Sequence, residues 1–185
     1  MIVMVNTSWN IRRDGPGWRN IRWLGWVSFL TDVSSEMAYP LIPAFLQALG
    51  VPMTLIGAIE GIAESTGALL RSVFGRWSDR IGRRKVFILG GYALSAISKP
   101  CLAFAHSWNA VLAIRFSDRL GKAARTPARD ALLSTSVSEA QRGFAFGFHR
   151  AMDQLGAFVG PWIAMGLLRL AHRAPSDVAV RWVFF

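Results

Sequence analysis

The chain has 185 residues, 52% of them hydrophobic and only 17% charged, with a formal net charge of +10 and a mean hydropathy of +0.33. A soluble domain carries about 25% charged residues, so this balance argues against an ordinary water-soluble enzyme and for a membrane protein. The cationic excess alone would suit nucleic acid or an anionic surface, and the placement of the charges decides between them.

The N-terminal stretch MIVMVNTSWNIRRDG has a short apolar start and no small-residue cleavage site, so no signal peptide is read there. Residues 1–20 are read as a cytoplasmic N-terminal segment. A bilayer core about 30 Å thick takes about 20 mostly apolar helical residues. Five such windows follow, at roughly 21–48, 54–75, 86–105, 108–134 and 143–169. The breaks between them, GVPMT, GRWSDRIGRRK, HSW and SVSEAQR, are short, which makes neighbouring helices antiparallel. Arg12, Arg13, Arg19 and Arg22 precede or open the first window, and Arg76, Arg80, Arg83, Arg84 and Lys85 fill the second break. The first and third breaks contain no Lys or Arg. The positive-inside rule therefore places the N-terminus and the 75–85 segment in the cytoplasm. Much of the net charge becomes topology, and the expected partner is a lipid bilayer rather than nucleic acid. A sixth segment opens near residue 178 with VAVRWVFF, too short to span a bilayer, and is read as the incomplete start of a sixth helix. Cys101 is the sole cysteine, which excludes an intramolecular disulfide and a cysteine-cluster metal site.

Asp32, Glu36, Glu60, Glu64, Asp118 and Asp153 fall inside the apolar windows, together with Arg71, Lys99, Arg115, Arg119, Lys122 and Arg150. An ionised side chain at mid-membrane costs roughly 2.5–3.5 kcal/mol even on a lenient insertion scale, so these groups are expected to face a bundle interior or a wet cavity. Helical geometry agrees. The seven charges of RFSDRLGKAARTPARD, residues 115–130, fall within an arc of about 140°, with Phe116, Leu120, Ala123 and Ala128 opposite. Ser28, Asp32, Ser35 and Tyr39 share one face of the first window, with Glu36 at its edge. Glu60, Glu64, Gly67 and Arg71 share a face of the second, and His149, Asp153, Gly156 and Gly160 share one of the fifth. Gly57/Gly61, Gly143/Gly147 and Gly156/Gly160 fit seams where helices approach closely. Pro40, Pro43, Pro100, Pro127 and Pro161 each remove a backbone donor inside a window and are candidate kinks.

The segment GRWSDRIGRRK resembles motif A of the major facilitator superfamily (MFS), a Gly-x-x-x-Asp-Arg-x-Gly-Arg-Arg/Lys pattern between the second and third helices. Gly75, Asp79, Arg80, Gly82, Arg83 and Arg84 carry the match. Arg115 stands where that family places its helix 4 arginine, and DQLGAFVGP resembles its helix 5 motif through Gly156, Gly160 and Pro161. The resemblance spans about residues 20–185 and is to the bacterial type. It implies an all-α membrane protein: residues 21–185 as the N-terminal six-helix half of a twelve-helix fold, truncated in its sixth helix, in a bacterial inner membrane. It also implies that Asp79 helps latch the cytoplasmic side against a C-terminal half of the same protein, with Arg125 or Arg129 as alternative partners within this half.

The expected activity is secondary active transport of a small solute by alternating access, symport or antiport, driven by protons, with sodium as the alternative ion. The alternative is a truncated half-transporter or membrane subunit without transport of its own. Arg115, Arg119 and Lys122 form a cationic strip that would suit a carboxylate or phosphate, or would pair with Asp118, Asp32 or Asp153. Asp32, Glu36 and Asp118 complete the expected substrate cavity. A carboxylate taken out of water holds its proton more tightly unless it is paired, so Asp32, Asp153, Glu60 and Glu64 are candidate proton carriers, with His149 beside them. No phosphate-binding glycine loop, catalytic triad or metal-ligand spacing appears, so no enzymatic activity, cofactor or metal is expected.

Overall fold

The computed structural model describes residues 16–170 and 183–184. Most of the expected N-terminal segment and nearly all of the sixth segment lie outside the described residues. Those described are helical: α1 (Pro16–Ala38), a 3-10 turn (Tyr39–Leu41), α2 (Ile42–Ala48), α3 (Met53–Ile81), α4 (Arg84–Cys101) with a 3-10 turn (Leu102–Phe104), α5 (Trp108–Ser136) and α6 (Glu139–Leu170). With α2 continuing the course of α1, they form five long helical stretches.

Local chemistry sets the breaks. Pro40 and Pro43 stand at the starts of the first 3-10 turn and of α2, where a missing N–H is tolerated, so the first stretch is interrupted rather than continuous. Ser107 caps α5 by accepting a hydrogen bond from the Ala110 amide at 3.3 Å, which satisfies an otherwise orphaned donor. The end of α3 departs from the expected loop. The first seven residues of GRWSDRIGRRK are helical, and the chain turns only at Gly82, whose φ of +68° suits glycine at a helix C-terminus. Its amide closes the helix onto the Ser78 carbonyl at 3.0 Å. Gly75, Asp79 and Arg80 therefore stand on α3, not in a loop.

Three close helix pairs build the bundle. α1 and α6 run parallel, their backbones brought together at Gly156 and Gly160. A Cβ on Gly156 would lie 2.6 Å from the Phe29 carbonyl oxygen, and one on Gly160 2.7 Å from that of Val33. α4 and α5 run antiparallel across Gly91 and Gly121, where a Cβ on Gly91 would stand 2.6 Å from the Gly121 carbonyl oxygen. α3 runs parallel to α5, with Gly67 against Arg119 and Gly75 against Pro127. The seams expected at Gly57/Gly61 and Gly143/Gly147 are absent among the described residues, since a Cβ at any of these four would meet nothing within 4 Å.

The core is apolar at its two ends and polar between them. At one end Ile42, Phe45, Leu46, Ile56, Ile59, Leu102 and Val111 cluster; at the other, Trp18, Ile21, Leu133 and Ala145. Between them Ser28, Ser95, Lys99, Arg115, Asp118, Arg125, His149 and Asp153 are buried. Large apolar side chains face outward instead, among them Trp23, Leu30, Leu69, Leu89, Ile97, Phe158 and Trp162. That inverted distribution fits lipid as the surrounding solvent. By length and composition α3 and α4 with its 3-10 extension could each cross a membrane. α5 is as long as α3 but is enclosed by neighbours, so even the small face of Ala123 and Ala128, opposite its charges, is buried.

Candidate functional site

The buried polar groups divide into two hydrogen-bonded layers and a cavity. In the layer nearer the apolar 42–59 end, equal four-residue spacings on parallel α3 and α5 match acids to arginines. Arg115 donates from Nε to Glu60 Oε1 at 3.0 Å, and its Nη2 reaches Oε2 of the same carboxylate, a bidentate pair that fixes direction as well as charge. Arg119 meets Glu64 at 2.7 Å. The Arg115 guanidinium also lies 4.2 Å from the centre of the Tyr39 ring, a cation–π contact, while the Tyr39 hydroxyl donates to Asp118. One tyrosine, in the turn that follows α1, thus meets both Arg115 and Asp118 of α5.

The second layer lies toward the opposite end. Arg129 of α5 donates to Ser28 Oγ at 3.1 Å and stands 3.7 Å from Asp153 of α6. Asp153 is also 3.5 Å from His149 Nδ1, one helical turn back. Ser28 shares a 2.9 Å hydrogen bond with Tyr92 of α4. Arg125 donates to Ser95 at 2.9 Å and covers the Tyr92 ring at 4.5 Å. Lys99 of α4 donates to the Thr31 carbonyl at 3.0 Å. Four helices are tied through these groups, which leaves few buried charges without a partner, as a low-dielectric interior requires.

Adjoining this second layer is a cavity of about 400 Å³. Asp32 and Glu36 of α1 line it, as do Arg71 of α3, Lys122, Arg125, Thr126 and Arg129 of α5, and Arg150, Asp153 and Gln154 of α6. Among the described residues no ion pair within 4.0 Å involves Asp32, Glu36, Arg71, Lys122 or Arg150.

Of the residues singled out from sequence, Asp32, Glu36, Lys122 and Asp153 meet at this cavity. Arg115, Asp118, Arg119, Glu60 and Glu64 do not line it; they form the other layer. The arginine strip pairs with Glu60 and Glu64 rather than with Asp118, Asp32 or Asp153. Of the expected strip only Lys122 lines the cavity, and Arg125 and Arg129 join it there. From the sequence, Arg71 and Arg150 are expected to face the bundle interior or a wet cavity but are not assigned to the substrate site, and Arg125 and Arg129 are put with Asp79, although Arg125, Thr126 and Arg129 continue the Lys122 face at helical spacing. Asp79 instead stands 3.6 Å from Arg84, across the Gly82 turn, and Arg84 donates to the Ala131 carbonyl at 3.2 Å. A second hollow, of about 750 Å³, opens beside Asp79 along Arg76, Trp77 and Arg80.

The sequence is similar to those of known proteins. The chain is 34% identical over 160 residues to an uncharacterized MFS-type transporter of Methanocaldococcus jannaschii, covering 86% of this chain and 40% of that protein. It is 29% identical over 147 residues to the multi-drug resistance efflux pump PmrA of Streptococcus pneumoniae, covering 77% and 36%. It is 22% identical over 147 residues to the quinolone resistance protein NorA of Staphylococcus aureus, covering 80% and 38%. The chain thus spans about 40% or less of the length of these curated relatives. The family model of the Major Facilitator Superfamily matches residues 24–185, and the chain, a helical integral membrane protein, belongs to that superfamily of transporters.

Proposed function

We propose that this chain is the N-terminal half of a secondary active transporter that moves a small solute by alternating access, coupled to protons. The observation that carries the reading is the charged cavity of about 400 Å³ lined by α1, α3, α5 and α6 within a bundle that turns large apolar side chains outward. Intramembrane charges are expensive and mark solute or ion pathways. The relatives' greater length supports a second half, and the exposed face of α3 carrying Gly57, Gly61 and Glu64 is a surface against which it would pack. In this reading the N-terminus and the α3–α4 turn are cytoplasmic, and Asp79 and its neighbours brace that side of the bundle.

Asp32 is the proposed proton carrier. It lines the cavity without an ion pair within 4.0 Å among the described residues, whereas Asp153 is held by Arg129 and His149. Asp153 is proposed as its electrostatic neighbour, in a position to exchange Arg129 for a proton as the bundle moves. Uptake by the intact protein in proteoliposomes, with and without an imposed pH gradient, tests the coupling. The gradient is expected to drive uptake in the native protein and to lose its effect in Asp32→Asn. Uptake indifferent both to the gradient and to Asp32→Asn and Asp153→Asn would remove the assignment.

A further inference from the structure

We propose that the cavity takes an oxyanion, a solute bearing a carboxylate or phosphate group, and that Lys122, with Arg71 and Arg150 at the rim, receives it. This rests on the transport reading above and names the substrate class of that site. Five cations and three carboxylates line the cavity, so its walls carry a formal excess of two positive charges. Their distribution is more telling than their number. Arg129 is bound to Ser28, Asp130 and Asp153, and Arg125 to Ser95 and the Tyr92 ring; both are committed to the protein.

Lys122 is half-buried, its carbonyl accepts from Thr126, and among the described residues its ammonium makes no side-chain hydrogen bond and no ion pair within 4.0 Å, the Asp32 carboxylate acting on it only from farther away. An ammonium removed from bulk water without a fixed partner is the group a bound anion would complete. The arginines bracketing it stay available: Arg71 and Arg150 are exposed at the cavity edge and likewise make no ion pair within 4.0 Å among the described residues. Planar guanidinium groups grip carboxylate and phosphate through paired N–H donors. Arg115 and Arg119, the other cations of α5 toward the apolar 42–59 end, are already neutralised by Glu60 and Glu64 and contribute no free positive charge. Thr126 and Gln154 on the same walls offer neutral hydrogen bonds to the remainder of the solute.

The charge of the cavity is readable without knowing the natural solute. In the intact protein made cysteine-free, with Cys101→Ser in this chain, a cysteine placed by Ala157→Cys on the cavity wall reports which thiol reagent arrives faster, an anionic or a cationic methanethiosulfonate. The anionic reagent is expected to lead, and Lys122→Gln or Arg150→Gln to cut the ratio of the two rates about tenfold, since a nearby charge attracts one reagent and repels the other. Millimolar benzoate and inorganic phosphate are the competing probes: slowing by one and not the other identifies the carboxylate or the phosphate as the preferred group, and slowing by tetraphenylphosphonium alone overturns the proposal. A cationic reagent that leads, or a ratio unmoved by Lys122→Gln, also overturns it, while leaving gradient-driven transport standing. Thr126→Cys on the facing helix gives a second reading if the first variant does not assemble. Absence of gradient-driven transport in the native protein, with the anionic preference intact, would count against the transport reading and not against the site's charge.

Discussion

At the scale of single residues, the distinction that matters is between charges that hold the bundle and charges that face the cavity. Arg115 is 3% exposed in its side chain and depends on Glu60, which is 34% exposed; Arg119 is 14% exposed and Glu64 is 63% exposed. Replacing Glu60 by Gln would leave a buried guanidinium without its counter-charge, and the expected loss is about 1–3 kcal/mol of stability. Glu64→Gln should cost under about 1 kcal/mol, because an exposed pair is weak. Thermal unfolding of the detergent-solubilised intact protein gives the order; equal losses would mean that the two pairs do the same structural work. The cation–π contact and hydrogen bond of Tyr39 give a second expectation. Tyr39→Phe keeps the ring under Arg115 but leaves Asp118 short of a donor, so it should destabilise less than Tyr39→Leu, which loses both.

At the scale of elements, glycine placement separates helix faces that pack within this chain from faces left open. Gly156→Val drives a branched side chain into the α1 backbone near Phe29 and Asp32, and about 1–3 kcal/mol of destabilisation is expected from the forced shift. Gly147→Ala meets no atom within 4 Å, and should be neutral or gain about 0.5–1 kcal/mol from better helix propensity. Yield and unfolding temperature of the two variants check the contrast. The amphipathic faces of α1, α5 and α6 were legible in the sequence, because charged and small residues recur at helical spacing. Whether a small-residue pair meets a neighbour was not: Gly143/Gly147 and Gly156/Gly160 look alike in one dimension, and only the parallel approach of α1 and α6 separates them. The helical course of α3 through Asp79 was missed for a related reason, since a polar run reads as a loop when its flanks are apolar.

At the scale of the whole molecule, the sequence pattern points to inward-facing charge but not to which acids meet which bases. Helix periodicity says that Arg115, Arg119 and Lys122 share a face; it does not say that α3 lies parallel to α5 in a register that brings Glu60 and Glu64 to the first two and leaves the third free. The result is a bundle with an ion-paired layer, a charged cavity with Arg129 and Asp153 at its base, and apolar clusters capping both ends. The proposed transport cycle requires that this cavity open alternately to the two sides of the membrane. The direct test is labelling of Thr126→Cys, in a cysteine-free background of the intact protein that includes Cys101→Ser, with a membrane-impermeant thiol reagent applied separately to right-side-out and inside-out vesicles. Alternating access predicts labelling from each face in sealed vesicles, and labelling confined to one face, or absent from both, would contradict it.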